Sequence, residues 1–473
     1  MVTSELPHRY QSWFLSVVRM DRLPEGGSMT RRHLLKLVST FIALPLLHLF
    51  FLVSRAMGRT TSSQGALPAK TTTIDGVTDM MSHVYVTRGK KPEENMRDLL
   101  QLLGGIEKII GSEDIVILKP NAQWWNQGTT NTNAMKAFIE AILKRPRFHG
   151  EIIIAENHQY DEPNSRGWTT IERNGDYNLN ELVEYFQKLG HPNVTKYHWR
   201  PVTPQSKSKT DPANFSRIVE SPWQGDGYVY DKKLIYTSPL GRRCILSYPI
   251  FTSSYSGTVI DFKNGAWKNG KYTSQQVKFI NFSGINHHGS YCGVTASVKN
   301  YMGIVDMSCG APRGGPEGFF NVHNVGVREL PNVYERYVPW RIRNKLELFW
   351  ETNYSHKYFH HTGGCLGAFM RKVRMADLNI ITADWVGFGS RTNTSLSGHP
   401  KALLASTDPV ALDSWAAREI LLPLTQTGPD RETFSALNNP DSVEGPFRKF
   451  LQECYNQGIG NLDPSLVKTH RVT

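Results

Sequence analysis

The chain has 473 residues, with 54 Lys and Arg against 42 Asp and Glu, a formal charge of +12. Hydrophobic residues make up 39% and charged residues 20%, enough apolar material for a sizeable core, which excludes disordered and collagen-like classes. A nucleic-acid partner is not needed to explain the charge. Residues 1–60 hold eight Lys and Arg against three Asp and Glu, and the other +7 is spread thinly with no long basic run.

Residues 37–53 read LVSTFIALPLLHLFFLV, seventeen positions without a charge. That is the short limit for a spanning helix, which needs about 20 residues, and longer than the usual core of a signal peptide. Just upstream, Thr30-Arg31-Arg32-His33-Leu34-Leu35-Lys36 resembles a twin-arginine export signal. The competing reading is a purely topological one, in which positive charge before an apolar stretch sets the membrane orientation. Residues 1–56 are therefore expected to act as an export signal or membrane anchor, and 57–75 as a linker. Residues 76–473 are read as a single α/β domain. The implied partners are the twin-arginine export machinery and the membrane, with the body on the periplasmic side. That route carries folded cargo, often around a cofactor, so a metal ion enters as a candidate. An iron–sulfur cluster does not: Cys244, Cys292, Cys309, Cys365 and Cys454 include no C-x-x-C pair.

The body's punctuation is α/β. Met96, Leu99, Leu100, Leu103, Ile106, Ile109 and Ile110 recur at helical spacing and predict a helix over 93–110. The apolar run 115–118 then predicts a buried strand. A helix over 133–143 and a strand over 152–154 repeat the unit, which argues for a mainly parallel sheet flanked by helices. Between about 200 and 275, short alternating runs separated by Gly, Pro and Asn predict an antiparallel hairpin insertion. The α/β pattern resumes with a strand over 277–282 and a helix from about Val294. Strands follow over 378–382 and 402–406, then a helix over 409–422.

Ligands of open α/β sheets collect beyond the carboxyl ends of the strands, so polar residues there are the candidates. Lys119 and Asn121 follow the strand at 115–118, where lysine pairs with an anion and asparagine orients it; a solvated loop lysine is the bland alternative. Asn286-His287-His288-Gly289-Ser290 leads through Gly293 into a helix carrying Lys299 and Asn300, whose first N–H groups could meet an anion. His287, His288, His356 and His360 are candidate metal ligands, His356 and His360 because a four-residue spacing shares one helix face. Histidines ahead of Gly363-Gly364 would equally suit a helix C-terminus. Asp408 before Pro409 reads first as an N-cap. Asp413 lies on an apolar stripe, where a carboxylate must find a partner or shift its pKa, and Asp384 could face it across the sheet edge.

Three of these stretches occur in a recognisable order. Val116 to Asn121, Gly293 to Gly303 and Leu403 to Asp413, with an ending like Gly458-Ile459-Gly460-Asn461, resemble the domain of unknown function 362 family and its exported members, over roughly residues 80–465. The resemblance implies no assigned reaction. Some relatives carry a ferredoxin-like cysteine module, which this chain lacks. The family's lysine two residues before a histidine is replaced here by Asn286 ahead of His288, and one extra residue separates His288 from Gly293. Lys119, Lys299, Asn300, Asp408 and Asp413 match its pattern. The expectation is a site for an anionic small molecule or a metal, with redox or metal-dependent activity as the enzyme reading. The rival is a non-catalytic periplasmic binding or accessory protein.

Overall fold

The strands marked by apolar runs all join one sheet. A computed structural model describes residues 81–122, 126–157, 173–199, 216–306, 319–320, 322, 325–326 and 358–472, with the short strands Thr73–Ile74 and Val77–Thr78. The segment 37–53 and His356 lie outside the described residues, among which no helix is long and apolar enough to cross a membrane.

Strand β1 (Ser82–Arg88) precedes helix α1 (Pro92–Leu102). The helix predicted to run to 110 stops early because Gly104 and Gly105 take φ of +84° and +98°, and only one turn, Ile106–Lys108, resumes it. Then come β2 (Ile115–Pro120), α2 (Thr132–Leu143), β3 (Glu151–Glu156), α3 (Leu179–Lys188) and β4 (Val194–His198). The expected insertion is a six-stranded sheet of its own. Its strands are β5 (Ile218–Val219), β6 (Gly227–Val229), β7 (Tyr248–Thr252), β8 (Val259–Asp261), β9 (Gly265–Lys268) and β10 (Lys271–Tyr272). They pair in sequence order, antiparallel except for β5 with β6.

The main sheet resumes with β11 (Val277–Gly289), which outruns the predicted strand by seven residues, and β12 (Gly293–Thr295) folds back on it. Helix α4 (Ser297–Asn300) therefore begins later than expected. The rest is α5 (His361–Lys372), β13 (Leu378–Gly387), β14 (Ala402–Ser406), α6 (Pro409–Ala416), α7 (Arg431–Asn438), α8 (Pro446–Tyr455) and β15 (Val467–Arg471). The sheet order is β15-β1-β14-β13-β11-β2-β3-β4, parallel from β13 to β4 and antiparallel at both edges of β14. The fold is α/β.

Period-two alternation sorts side chains to the two faces. Val116, Leu118, Ile152, Ile154 and Phe282 pack with Met96, Leu99, Phe138 and Phe186 of α1, α2 and α3. Ile115, Ile117, Phe279 and Ile381 face the other way, with Val298, Phe369, Val410 and Phe450. Lys119, Asn281, Asn379 and Ser406 share the parity of this second face and stand at one register level across four neighbouring strands. A row of polar side chains thus crosses the core just where the apolar residues end.

Candidate functional site

The row starts at Lys119, the last but one residue of β2, with 2% of its surface exposed. Its Nζ donates to Glu156 Oε2 at 2.8 Å, Asn300 Oδ1 at 2.8 Å and Pro120 O at 2.9 Å. Glu156 ends β3 and is equally buried. Asn300 Nδ2 donates to Asn281 Oδ1 at 2.8 Å, and Asn281 Nδ2 to Asn379 Oδ1 at 2.9 Å. Each amide donates to the next, so the ladder is satisfied from β2 to β13 without water. Burial pushes the Glu156 carboxyl up to about 7 against the pull of the Lys119 ammonium, and lowers Lys119 in turn. Gly303 makes the pair possible: a Cβ there would collide with both Glu156 Oε1 and Lys119 Nζ.

Lys299 is next to Asn300 on α4 and 6% exposed. Its Nζ lies 2.5 Å from His288 Nε2, and Arg391 Nη1 lies 3.2 Å from His288 Nδ1. Thr295 Oγ1 also reaches His288 Nδ1, at 2.7 Å. Among the described residues no carboxylate pairs with Lys299. Burial brings it down to about 8, Arg391 pushing the same way and the nearby Cys292 thiol opposing. A cavity of about 20 Å³ joins the two halves, lined by Lys119, Asn121, Glu156, Thr295, Lys299, Asn300, Met302 and Gly303. It has room for a water-sized group. Asn121 Nδ2, at its wall, has no hydrogen-bond acceptor among the described residues.

The carboxylates of the C-terminal motif are braces. Asp408 caps α6, accepting from Val410 N and Ala411 N at 2.9 Å each, and also from Asn461 N at 2.8 Å and Ser82 Oγ at 2.5 Å. Asp413 accepts from Ser297 N at 2.8 Å, Val298 N at 2.9 Å and the Ser297 hydroxyl. The first N–H groups of α4, which the Gly-rich approach was expected to offer an anion, are therefore occupied by a residue of α6. Complete burial still pushes Asp413 up to about 7.

Residues 260–418 match the family described as Domain of unknown function (DUF362). They belong to the domain of unknown function 362 family. The matched stretch is narrower than the resemblance over roughly 80–465. It holds Lys299, Asn300, Arg391 and both braces, while Lys119, Asn121 and Glu156 are contributed from outside it. No curated protein and no solved structure matches the chain.

The β11–β12 pairing shifts register between His287 and Gly289, leaving His288 as the bulged residue. Asn286 is fully buried, and neither of its side-chain polar atoms finds a partner among the described residues.

The remaining candidates sit elsewhere. His287 points away from His288, its Nδ1 2.7 Å from Asn438 Oδ1. Asp384 pairs with His399 Nε2 at 3.1 Å, with Asn131 Nδ2 at 3.5 Å, and shares no partner with Asp413. His360 stands at the N-terminus of α5, not at a helix C-terminus. Glu156 and Arg391 were not anticipated. Glu156 was accessible by the argument applied to Lys119, being the first polar residue after a buried strand; Arg391 lies in a loop with no such mark.

Proposed function

We propose that the cavity at the carboxyl edge binds the anionic end of a small molecule, with Lys299 as its principal charge. Supporting this reading is a buried lysine that meets no carboxylate among the described residues, in a cluster with His288 and Arg391, beside an Asn121 N–H with no acceptor among them. A buried cation without a counter-charge is costly, and an anion relieves that cost. The cavity's size suits one oxygen of a carboxylate or phosphate, the rest of the ligand extending outward.

Glu156, poised near neutral pH next to Lys119, favours acid–base chemistry on the bound molecule over mere storage. The body would act outside the cytoplasm, on the strength of Thr30 to Lys36 and the apolar stretch behind them. Calorimetric titration of the full chain with formate, acetate and inorganic phosphate tests the binding. Affinity that survives Lys299→Met removes the proposal. Replacing Arg31 and Arg32 together by lysines should stop export of the chain, and undiminished export would remove that part alone.

A further inference from the structure

Helices α5 and α8 pack so closely that a Cβ on Gly363 would collide with the carbonyl oxygen of Phe450. That approach brings Glu453 of α8 over the first turn of α5. His361 Nδ1 lies 3.0 Å from Glu453 Oε1, and one ligand atom each from His360, His361 and Glu453 lie within 4.8 Å of one another. The two imidazole centroids are 4.3 Å apart. Adjacent histidines diverge in the middle of a helix. At its first turn there is no preceding turn to crowd their side chains, and both rings can reach one point. His361 is 6% exposed while His360 and Glu453 are part-exposed.

We infer that His360, His361 and Glu453 form a binding site for a divalent first-row transition metal. Two imidazoles and one carboxylate are the donor set such ions take, with a remaining position for water. Metal–ligand bonds of about 2.1 Å at tetrahedral angles put ligand atoms about 3.4 Å apart. The separations here require shifts of roughly an ångström or less from each side chain. Charge also favours the ion: Glu453 supplies a negative charge beside two bases that bind metal as neutral rings. The Lys299 cavity shares none of these residues, so the site stands independently of the anion proposal.

The test is calorimetric titration of zinc into the full chain, prepared without a histidine tag and stripped with chelator, at pH 7.5. One equivalent should bind to the wild type and raise its thermal midpoint. Loss of an outer partner already weakens metal sites by about 10–100-fold, so His361→Ala should weaken binding by at least that factor. Glu453→Gln, which preserves shape, should weaken it at least tenfold, and its metal-free thermal midpoint shows that the variant is folded. His83→Ala, which breaks another close histidine pair (His470 Nε2 to His83 Nδ1, 2.9 Å), should leave stoichiometry unchanged. Failure of the wild type to bind, or wild-type binding by both site variants, overturns the inference. So does loss of the ion in His83→Ala with retention in Glu453→Gln.

Discussion

Replacing Lys299 by methionine separates a binding residue from a structural one, because the two roles predict opposite signs for stability. Burial and Arg391 bring the ammonium from 10.5 to about 8. At roughly 1.4 kcal/mol per unit, the charged form at pH 7 costs the folded protein about 3 kcal/mol relative to a neutral side chain of the same shape. Methionine fills a similar volume without that cost. It forfeits the hydrogen bond to His288, worth about 1 kcal/mol. The variant should therefore be more stable than the wild type by roughly 2 kcal/mol at pH 7.

The pH dependence is equally specific. A lysine whose folded pKa is depressed binds fewer protons in the fold, so wild-type stability rises between about 8 and 10.5, and the variant's advantage shrinks over that window. It should reverse near pH 10, where the lost hydrogen bond outweighs the remaining ionisation cost. Urea unfolding of both proteins at pH 7, 8.5 and 10 measures this. Inorganic phosphate at a hundredfold excess over its dissociation constant should add about 2.7 kcal/mol to the wild type and nothing to the variant. A variant less stable at pH 7, or a difference indifferent to pH, would refute the reasoning and make Lys299 an ordinary core residue.

The Lys119–Glu156 pair should behave as a unit. Lys119→Met or Glu156→Gln alone should cost about 3–5 kcal/mol by stranding its partner, and the double variant Lys119→Met/Glu156→Leu should recover most of that; additive losses in urea unfolding would contradict the pairing. Glu156 and Asp413 are both pushed up to about 7, so each contributes stability that is full below its ordinary value and gone once the pH passes 7. Lys299 restores stability only above 8. Urea midpoints taken from pH 5 to 10 should thus pass through a minimum between pH 7 and 8, with up to about 1.4 kcal/mol lost per pH unit per carboxyl on the acid side. A maximum there would show that these groups are not buried as described.

Much of this arrangement is readable in particular residues. Val116, Leu118, Ile152 and Ile154 announce parallel strands by being apolar at every position, and Lys119 follows from where such a strand ends. Asp408 is recognisable as a cap from the proline behind it. Gly104-Gly105 is just as readable as a stop, against the apolar rhythm that runs on through Ile110. Asp413 shows the opposite limit. Its stripe says that it is buried, but the residues it braces lie more than a hundred positions earlier, in α4.

The sequence by itself determined the strands and helices of the α/β body and marked Lys119 and Asn121 at a strand end, because these depend on periodicities of two and 3.6 residues within single elements. Only the tertiary structure decided which polar residues meet. Lys119 finds Glu156 while Lys299 meets no carboxylate among the described residues, and His360 stands beside His361 and Glu453. Such partnerships are set by crossover connections and by the close packing of α5 on α8, distances through space that no local pattern records.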